Sequence, residues 1–418
     1  MSDPIRMVHF GDTHIGVENY GAIDPGTGIS SRVLDFLRRV DDVVAFAEEN
    51  DADLAIFAGD AFKSRHPSPT HQREFARRVK RLAEICPVVL LVGNHDLPAM
   101  TQKASSVEIF RTLEVPNVVV GRTDSVHWVE TKRGPVQVAT VPYPMRQRLL
   151  AREDAAGATI AQIDNMLEGV VGTVIANLAQ EVDPSVPAVL TGHFSVSGAQ
   201  YGSERSVMLG RDVTVLKSAL MDTIWDYVAL GHIHFHQNLT ANDRDAPPVV
   251  YSGSLERVDF GEEGDPKGFC WVELERGNTG WQFVEVAARP FVTVRADARN
   301  TDDPTQVVLN AIGRHDVSGA VVRVLVDTTP ENDALVRRRD IETALAEAAH
   351  IAAIQHEVEF VARTRLDGAS PESLTPMELL ERYLLGKETS PERAEVLMAH
   401  ADALFRAEDE SLADFGAG

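Results

Sequence analysis

Only two cysteines, Cys86 and Cys270, occur in 418 residues. No disulfide framework can hold such a chain together, and a reduced, cytoplasmic setting is the simplest expectation. No apolar run approaches the roughly 20 residues that a membrane-spanning helix needs. The opening stretch MSDPIRMVHFGD lacks the basic-then-apolar order of a secretory signal. A membrane protein is therefore not expected. Positive charge is also scarce: 40 Lys and Arg stand against 63 Asp and Glu, a formal net charge of −23. A chain this acidic disfavours non-specific contact with nucleic acid. Any activity on a polyanion would need bound cations, a local basic face or a partner. One basic segment, REFARRVKRL at 73–82, reads as a solvated helix face.

At this length the chain exceeds one compact core and predicts two or three domains. Five short runs rich in Val, Ile, Leu and Ala each end in a polar, glycine-associated motif: IRMVHFGDTH (5–14), ADLAIFAGD (52–60), CPVVLLVGNHD (86–96), PAVLTGHF (187–194) and DYVALGHIH (226–234). Apolar runs without alternation are what strands buried on both faces look like. Between the first two, Val33, Leu34, Leu37, Val40, Val43, Val44 and Ala47 recur at helical spacing. The chain thus opens βαβαβ, which predicts an α/β fold of layered sheets with ligands gathered beyond the carboxyl ends of the strands. A helix is expected over 158–180, with Ile160, Ile163, Leu167, Val170, Val171, Val174 and Leu178 on one side. Strands and turns after residue 245 predict a second sheet closing the same domain.

The character changes near Arg289-Pro290. The expected division is a first domain over 1–289, a small α+β unit over 290–366 and a helix pair over 371–418 after the linker RLDGASPESL. The first of these helices has Thr375 as its cap, Pro376 in its first turn and Glu378 in a capping-box position. Leu379, Leu380, Tyr383 and Leu384 form an apolar stripe, as do Val396, Leu397, Leu404 and Phe405. The pair could pack on the body or meet a partner helix.

In order, the strand-end motifs are Asp12-Thr13-His14, Gly59-Asp60, Gly93-Asn94-His95-Asp96, Gly192-His193 and Gly231-His232-Ile233-His234. Each alone is an ordinary turn; five at strand ends point to one site. The residue types suit two cations roughly 3.5–4 Å apart, which can grip a phosphate and polarise a water for in-line attack. A carboxylate must bridge them to offset their repulsion, and Asp60 is the bridging candidate. Imidazole, carboxylate and amide oxygen suit Mn²⁺, with Fe²⁺, Mg²⁺ or Zn²⁺ as alternatives. The lack of cysteine ligands argues against a closed structural zinc site.

This series resembles the calcineurin-like metallophosphoesterase superfamily. GDAFKSRHPSP, HFSVSGAQYGSERSV and YSGSLERVDFGE narrow the resemblance to the SbcD-type DNA repair nucleases, over residues 5–270. The resemblance implies that Asp12, His14, Asp60 and His234 hold one metal and Asp60, Asn94, His193 and His232 the other. It implies His95 as the catalytic histidine that stabilises the phosphoryl transition state or protonates the leaving oxygen, with Asp96 orienting it. His236 lies past the motif and is expected to be structural. The resemblance further implies a two-metal DNA exonuclease or endonuclease working on ends or hairpins, a capping domain after residue 290, a homodimer, and a terminal helix pair that docks on an SMC-like ATPase of SbcC type. One position departs: Lys63 stands where many relatives carry a substrate-positioning histidine. A lysine can hold a phosphate as a point charge but cannot shuttle protons near neutral pH.

Two other readings compete. One is a phosphatase or small phosphodiesterase on the same scaffold. The protein-phosphatase branch places an arginine within GDxVDRG, whereas Arg65 here has a different offset, and residues 290–418 exceed what a small phosphodiesterase needs. The other is a scaffold for DNA ends and ATPase with weak chemistry, which the complete ligand set argues against.

Overall fold

The computed structural model describes residues 3–97, 103–145, 160–202, 213–359, 375–387 and 389–415. The expected linker at 365–374, residues 203–207 of the fourth motif's extension, and the side chains of Ile160, Ile163, Leu167 and Phe405 lie outside the described set.

Strands β1 (Ile5–Phe10), β2 (Leu54–Phe57), β3 (Val88–Leu91) and β4 (Val118–Gly121) run parallel, side by side in that order. The crossovers are α1 (Ser31–Glu49), α2 (Pro69–Ile85) and the single turn α3 (Ile109–Thr112). In α1 the periodic residues Val33, Leu37, Val40, Val43, Val44 and Ala47 are buried as expected, joined by Phe36; Leu34 is half-buried. Helix α2 starts where Ser68 accepts the His71 N–H, with Pro69 in the first turn. Its arginines are matched locally: Arg73, Arg77 and Arg78 meet Glu74, and Arg78 and Arg81 meet Asp41. The basic segment is thus a largely self-neutralised surface.

A second sheet is built from β5 (Ser125–Thr131), β6 (Gly134–Val141), β7 (Ala188–His193), β10 (Tyr227–Gly231), β11 (Gln237–Asn238) and β12 (Val249–Tyr251), in the order β11-β12-β10-β7-β6-β5. The short strands β8 (Ser195–Val196) and β9 (Thr214–Val215) pair beside it. Helix α4 (Ile160–Glu181) covers its outer face with Val171, Ile175 and Leu178. The strands after residue 245 do not form one sheet of their own. β12 joins the second sheet, whereas β13 (Gly268–Leu274) and β14 (Gly280–Glu285) extend the first, antiparallel beyond β1. The reason is burial on both faces of β13: Phe269 and Trp271 face the helix layer while Cys270, Val272 and Leu274 face the other sheet. The open edge of β1 supplies both environments.

The two sheets lie face to face, because alternate residues of each strand point opposite ways. Ile5 and Met7 enter the inter-sheet core with Val138, Val189 and Ala229, while Val8 and Phe10 pack under the helices. Polar contacts cross this core at Tyr227, whose hydroxyl meets Cys270 and His9. His9 accepts from the Tyr227 hydroxyl at Nδ1 (3.1 Å) and donates from Nε2 to the Leu230 carbonyl (3.2 Å). Burial drives the His9 pKa down to about 3, so the ring stays neutral.

Beyond Arg289, β15 (Phe291–Asp297), β16 (Val321–Thr328) and β17 (His350–Val358) form a separate parallel sheet. With α5 (Pro304–Ile312), α6 (Pro330–Asp333) and α7 (Arg338–Ala344) it makes a small unit with its own core, including Val294, Val308, Val324 and Ile341. Arg289 ties it back, donating to Asp35 in α1 (2.7 Å) and to the Gly319 carbonyl (2.7 Å). Last come α8 (Pro376–Gly386), capped by the expected Thr375–Glu378 box, and α9 (Pro391–Phe415). Leu384 is buried, but Tyr383, Leu385, Val396 and Leu404 are 59%, 71%, 56% and 70% exposed, so the pair keeps an apolar surface. No helix among the described residues is long and apolar enough to cross a membrane.

Replacing Tyr227 by Phe should strand the buried His9 Nδ1 and cost about 1–3 kcal/mol of stability in urea unfolding. Unchanged stability would show that the inter-sheet contact contributes nothing.

Candidate metal centre

The polar residues all lie beyond the carboxyl ends of β1, β2, β3, β7 and β10, three strands from one sheet and two from the other. The loops after β1 and β2 stay zipped together: Asp12 N–H donates to the Gly59 carbonyl (3.0 Å), and His14 N–H to that of Asp60 (3.1 Å). This draws Asp12, His14 and Asp60 into one rim. Their backbones are strained, with φ of 49° at Asp12, 39° at His14, 59° at Asp60 and 97° at His232. Left-handed non-glycine residues cost on the order of 1–3 kcal/mol each and gather where function holds them. The approach is so close that a Cβ on Gly59 would stand 2.4 Å from His193 Nδ1, and one on Gly93 would stand 2.2 Å from Asp60 Oδ1. Both positions admit only glycine.

Two ligand clusters result, and a third, overlapping group of His14, Asp60 and His95 shares a member with each. Asp12, His14 and His234 offer donor atoms within 4.8 Å of one another, as do Asp60, His193 and His232. In the first, His14 Nε2 and His234 Nε2 are 2.9 Å apart. In the second, Asn94 Oδ1 lies 2.9 Å from His193 Nε2 and 3.0 Å from His232 Nδ1. Asp60 faces both: its Oδ2 is 3.3 Å from His193 Nε2 and 3.8 Å from His14 Nε2. Its Oδ1 is taken by the His95 backbone N–H at 2.8 Å, which leaves Oδ2 for the gap. The seven residues expected as ligands therefore come together, with His234 in one cluster and His232 in the other.

Outer contacts orient the ligand nitrogens inward. His193 Nδ1 donates to the Ala58 carbonyl (2.7 Å), and His234 Nδ1 bonds Glu262 Oε1 (2.8 Å). Their Nε2 atoms then face the Asn94 oxygen and the His14 nitrogen, with a proton or a cation needed between each pair. Two nitrogens bound cis to one ion at about 2.0–2.1 Å each would sit about 3 Å apart, close to the His14–His234 separation. These convergent donors, buried and oriented from outside, fit a bound divalent metal.

Electrostatics agree. Burial raises Asp12, while at Asp60 the effect of burial is outweighed by His193 and then His95, which hold that carboxyl well below its usual range. For His193 burial acts downward, but Asp60 overcomes it and lifts the ring to about 9. Burial and then His234 push His14 well below the usual histidine value.

Asp96 lies elsewhere than expected. It is fully buried, and its carboxylate accepts the backbone N–H groups of Asp60 (3.0 Å), Ala61 (3.1 Å) and Gly93 (3.1 Å) and the Ser106 hydroxyl (3.2 Å). It pins the backbone under the bridging residue; it does not orient the His95 ring. That ring donates from Nδ1 to the Lys63 carbonyl at 2.6 Å. Lys63 thus acts on His95 through its main chain, and its side chain is exposed, as are Arg65 and His66. His236 is outside both clusters, with Nδ1 on the Tyr251 carbonyl (2.8 Å) and its ring stacked 3.9 Å from Phe283. Glu262 is a site residue that spacing could not signal. Burial would raise its carboxyl, but Lys267 and then His234 hold it well below the usual range.

A family model described as calcineurin-like phosphoesterase matches residues 5–236. The SbcD component of nuclease SbcCD from Bacillus subtilis is 25% identical over 302 residues, covering 70% of this chain and 72% of its own length. Two solved structures are similar at low identity. A dimetal phosphatase from Danio rerio is 10% identical with a TM-score of 0.38, covering 68% of this chain and 97% of its own. GAP50, the anchor in the inner membrane complex of Plasmodium, is 13% identical with a TM-score of 0.35, covering 68% and 85%. Likeness that loose carries nothing further.

In the metal-free chain near pH 7, His193 carries a proton that a ligand nitrogen must shed, whereas His14 does not. Metal uptake at that pH should therefore release about one proton per chain from His193, and affinity should rise as pH climbs toward 9. Calorimetry in buffers of different ionisation heat measures this; no proton release between pH 6 and 8 would contradict it.

Proposed function

The chain belongs to the calcineurin-like phosphoesterase family, and from that premise we propose that this metal-dependent hydrolase is a two-metal nuclease acting on DNA ends or hairpins. The observation that carries the two-metal part is the single Asp60 oxygen facing both clusters, 3.3 and 3.8 Å from their histidine nitrogens. Asp12, His14, Asp60 and His234 would hold one ion, and Asp60, Asn94, His193 and His232 the other. Manganese is the ion we assign, on the mixed imidazole, carboxylate and amide donors. When bound, the ions supply charge against the phosphate oxygens and lower the pKa of an attacking water.

The chain's own residues supply the rest. His95 is partly exposed at the rim, its ring centroid 4.9 Å from that of His14. With Nδ1–H committed to the Lys63 carbonyl, Nε2 is the atom that faces the phosphoryl group. The ring would give a proton to the leaving oxygen as the imidazolium, with both nitrogens protonated, returning to the neutral Nδ1–H form. Asp96 holds the bridging residue in register. Lys63 and Arg65, exposed beside this rim, offer cationic contacts to a DNA phosphate in an otherwise acidic molecule.

DNA as substrate rests on the likeness to the SbcD nuclease component from Bacillus subtilis and on the motifs after Asp60, His193 and His234. We assign the region 1–289 to catalysis in the cytoplasm, 290–366 to capping, and 371–418 to docking on an SMC-like ATPase. The exposed Tyr383, Leu385, Val396 and Leu404 support that docking role. A homodimer completes the assembly.

End-labelled duplex and hairpin DNA should be cut by the purified chain with Mn²⁺ and not with EDTA. His95→Gln should lower the rate about 10²–10⁴-fold with metal content unchanged. Lys63→Ala, which keeps the backbone carbonyl, should lower it far less. Hydrolysis of bis-nitrophenyl phosphate without any DNA cleavage would favour a small phosphodiesterase instead.

Deleting residues 371–418 should abolish capture of the ATPase while sparing the dimer mass in light scattering and the metal content. Retained capture would place docking elsewhere, and a monomeric full-length chain would remove the dimer.

A further inference from the structure

A short 3-10 turn, Phe260–Glu262, lies between the metal cluster and the small three-stranded unit and touches both. On the inner side Glu262 is fully buried. Its Oε1 receives His234 Nδ1 at 2.8 Å, and its Oε2 receives Lys267 Nζ at 2.8 Å and the Val258 N–H at 3.1 Å. Lys267, equally buried, also donates to Ser254 Oγ (2.9 Å) and to the His234 carbonyl (3.3 Å). Glu262 and Lys267 therefore hold both the ring and the backbone of one ligand. A buried ion pair is a weak source of stability because desolvation consumes most of its attraction. Its value lies in fixing geometry: a carboxylate on the outer nitrogen of a ligand histidine sets the tautomer and the ring's direction.

The outer side of the same turn is gripped by the small unit. Glu263 accepts the Thr293 N–H at 2.8 Å and the Thr293 hydroxyl. Arg323 donates from Nε to the Thr293 hydroxyl oxygen (2.8 Å) and lays its guanidinium 4.3 Å over the Phe260 ring, which also packs edge-on against Phe291 at 4.9 Å. Thr293 and Arg323 sit opposite each other on neighbouring strands β15 and β16. Phe260, Glu262 and Glu263 are consecutive but for one glycine, so the unit's hold on Phe260 and Glu263 constrains the residue that holds His234.

The second cluster has different supports. His193 is oriented by the Ala58 carbonyl and the Asp60 backbone is fixed by Asp96.

We propose that Glu262 is a positioning residue for His234, and that the small unit, through Thr293 and Arg323, sets the affinity of the His14–His234 metal position selectively. This rests on the two-metal reading above. The unit thereby acts as more than a cover: how it seats on the turn decides how well one of the two ions is held.

The test is calorimetry with Mn²⁺ alone on the full chain stripped by chelator. The unaltered protein should show two binding steps. Glu262→Gln should weaken one step about 10–100-fold and leave the other. Thr293→Val should weaken that same step by about threefold to tenfold, in the range of indirect coupling. Thr293→Ser, which keeps the hydroxyl, should not. Arg299→Ala is the control, since Arg299 pairs with Asp297 and Glu359 on the same unit but not with the turn. Both steps untouched by Glu262→Gln would overturn the positioning role. Glu262→Gln effective but Thr293→Val silent, or Arg299→Ala equally damaging, would overturn the coupling to the small unit. A single step in the unaltered protein would overturn the two-metal reading itself, and this proposal with it.

Discussion

Asp60 Oδ2, buried between His193 and His14 at 3.3 and 3.8 Å, sets the terms for everything around it. A carboxylate out of water must be met by positive charge or hydrogen-bond donors, because its desolvation is otherwise prohibitive. Around Asp60 the chain supplies one N–H to Oδ1 and sets the His193 and His14 nitrogens near Oδ2, while the Asn94 oxygen lies against His193 and a second buried carboxylate, Asp12, sits in the neighbouring cluster. In a metal-free chain a proton on His193 offsets part of this. A bound divalent cation would offset more of it, which is why the arrangement reads as a metal site and not as a buried polar network.

Holding these groups in place is what the fold does. Two sheets meet face to face so that β1, β2 and β3 deliver four of the candidate ligands and β7 and β10 the other three. The delivering loops are strained at four candidate ligand positions and closed at Gly59 and Gly93 to anything larger than hydrogen. Strain of that size is offset by rigid surroundings: the inter-sheet core beneath, Asp96 bonding three backbone N–H groups, and Glu262 with Lys267 behind His234.

Much of this is legible in the sequence, for a definite reason. A run of Val, Ile, Leu and Ala that stops at a glycine and then shows Asp, Asn or His marks the end of a buried strand, and five such ends in order point to one site. The α1 periodicity and the Thr375–Glu378 cap are equally local, and the structure has both. What was not legible depends on distance along the chain. Asp96 follows His95 directly, yet its partners are the backbones of Asp60 and Ala61, some 35 residues away. Glu262 meets His234 across 28 residues with no motif spacing to announce it. Lys63, read as a side-chain substitution, contributes a backbone carbonyl that any residue would supply. The split of β12 and β13 between two sheets was likewise hidden, since short apolar strands do not declare which edge they will join.

Acidity and a polyanionic substrate are reconciled if attraction is local: two ions, an exposed Lys63 and Arg65, and a partner docked on the terminal helices. All of that stands on the proposal that Asp60 bridges two metals, so the most direct measurement is electron paramagnetic resonance of the chain titrated with Mn²⁺. Ions roughly 3.5–4 Å apart with a shared carboxylate should give an exchange-coupled spectrum at two equivalents, and Asp60→Asn should abolish the coupling. A spectrum of one isolated ion, or of two that never couple, would show that Asp60 bridges no metal pair.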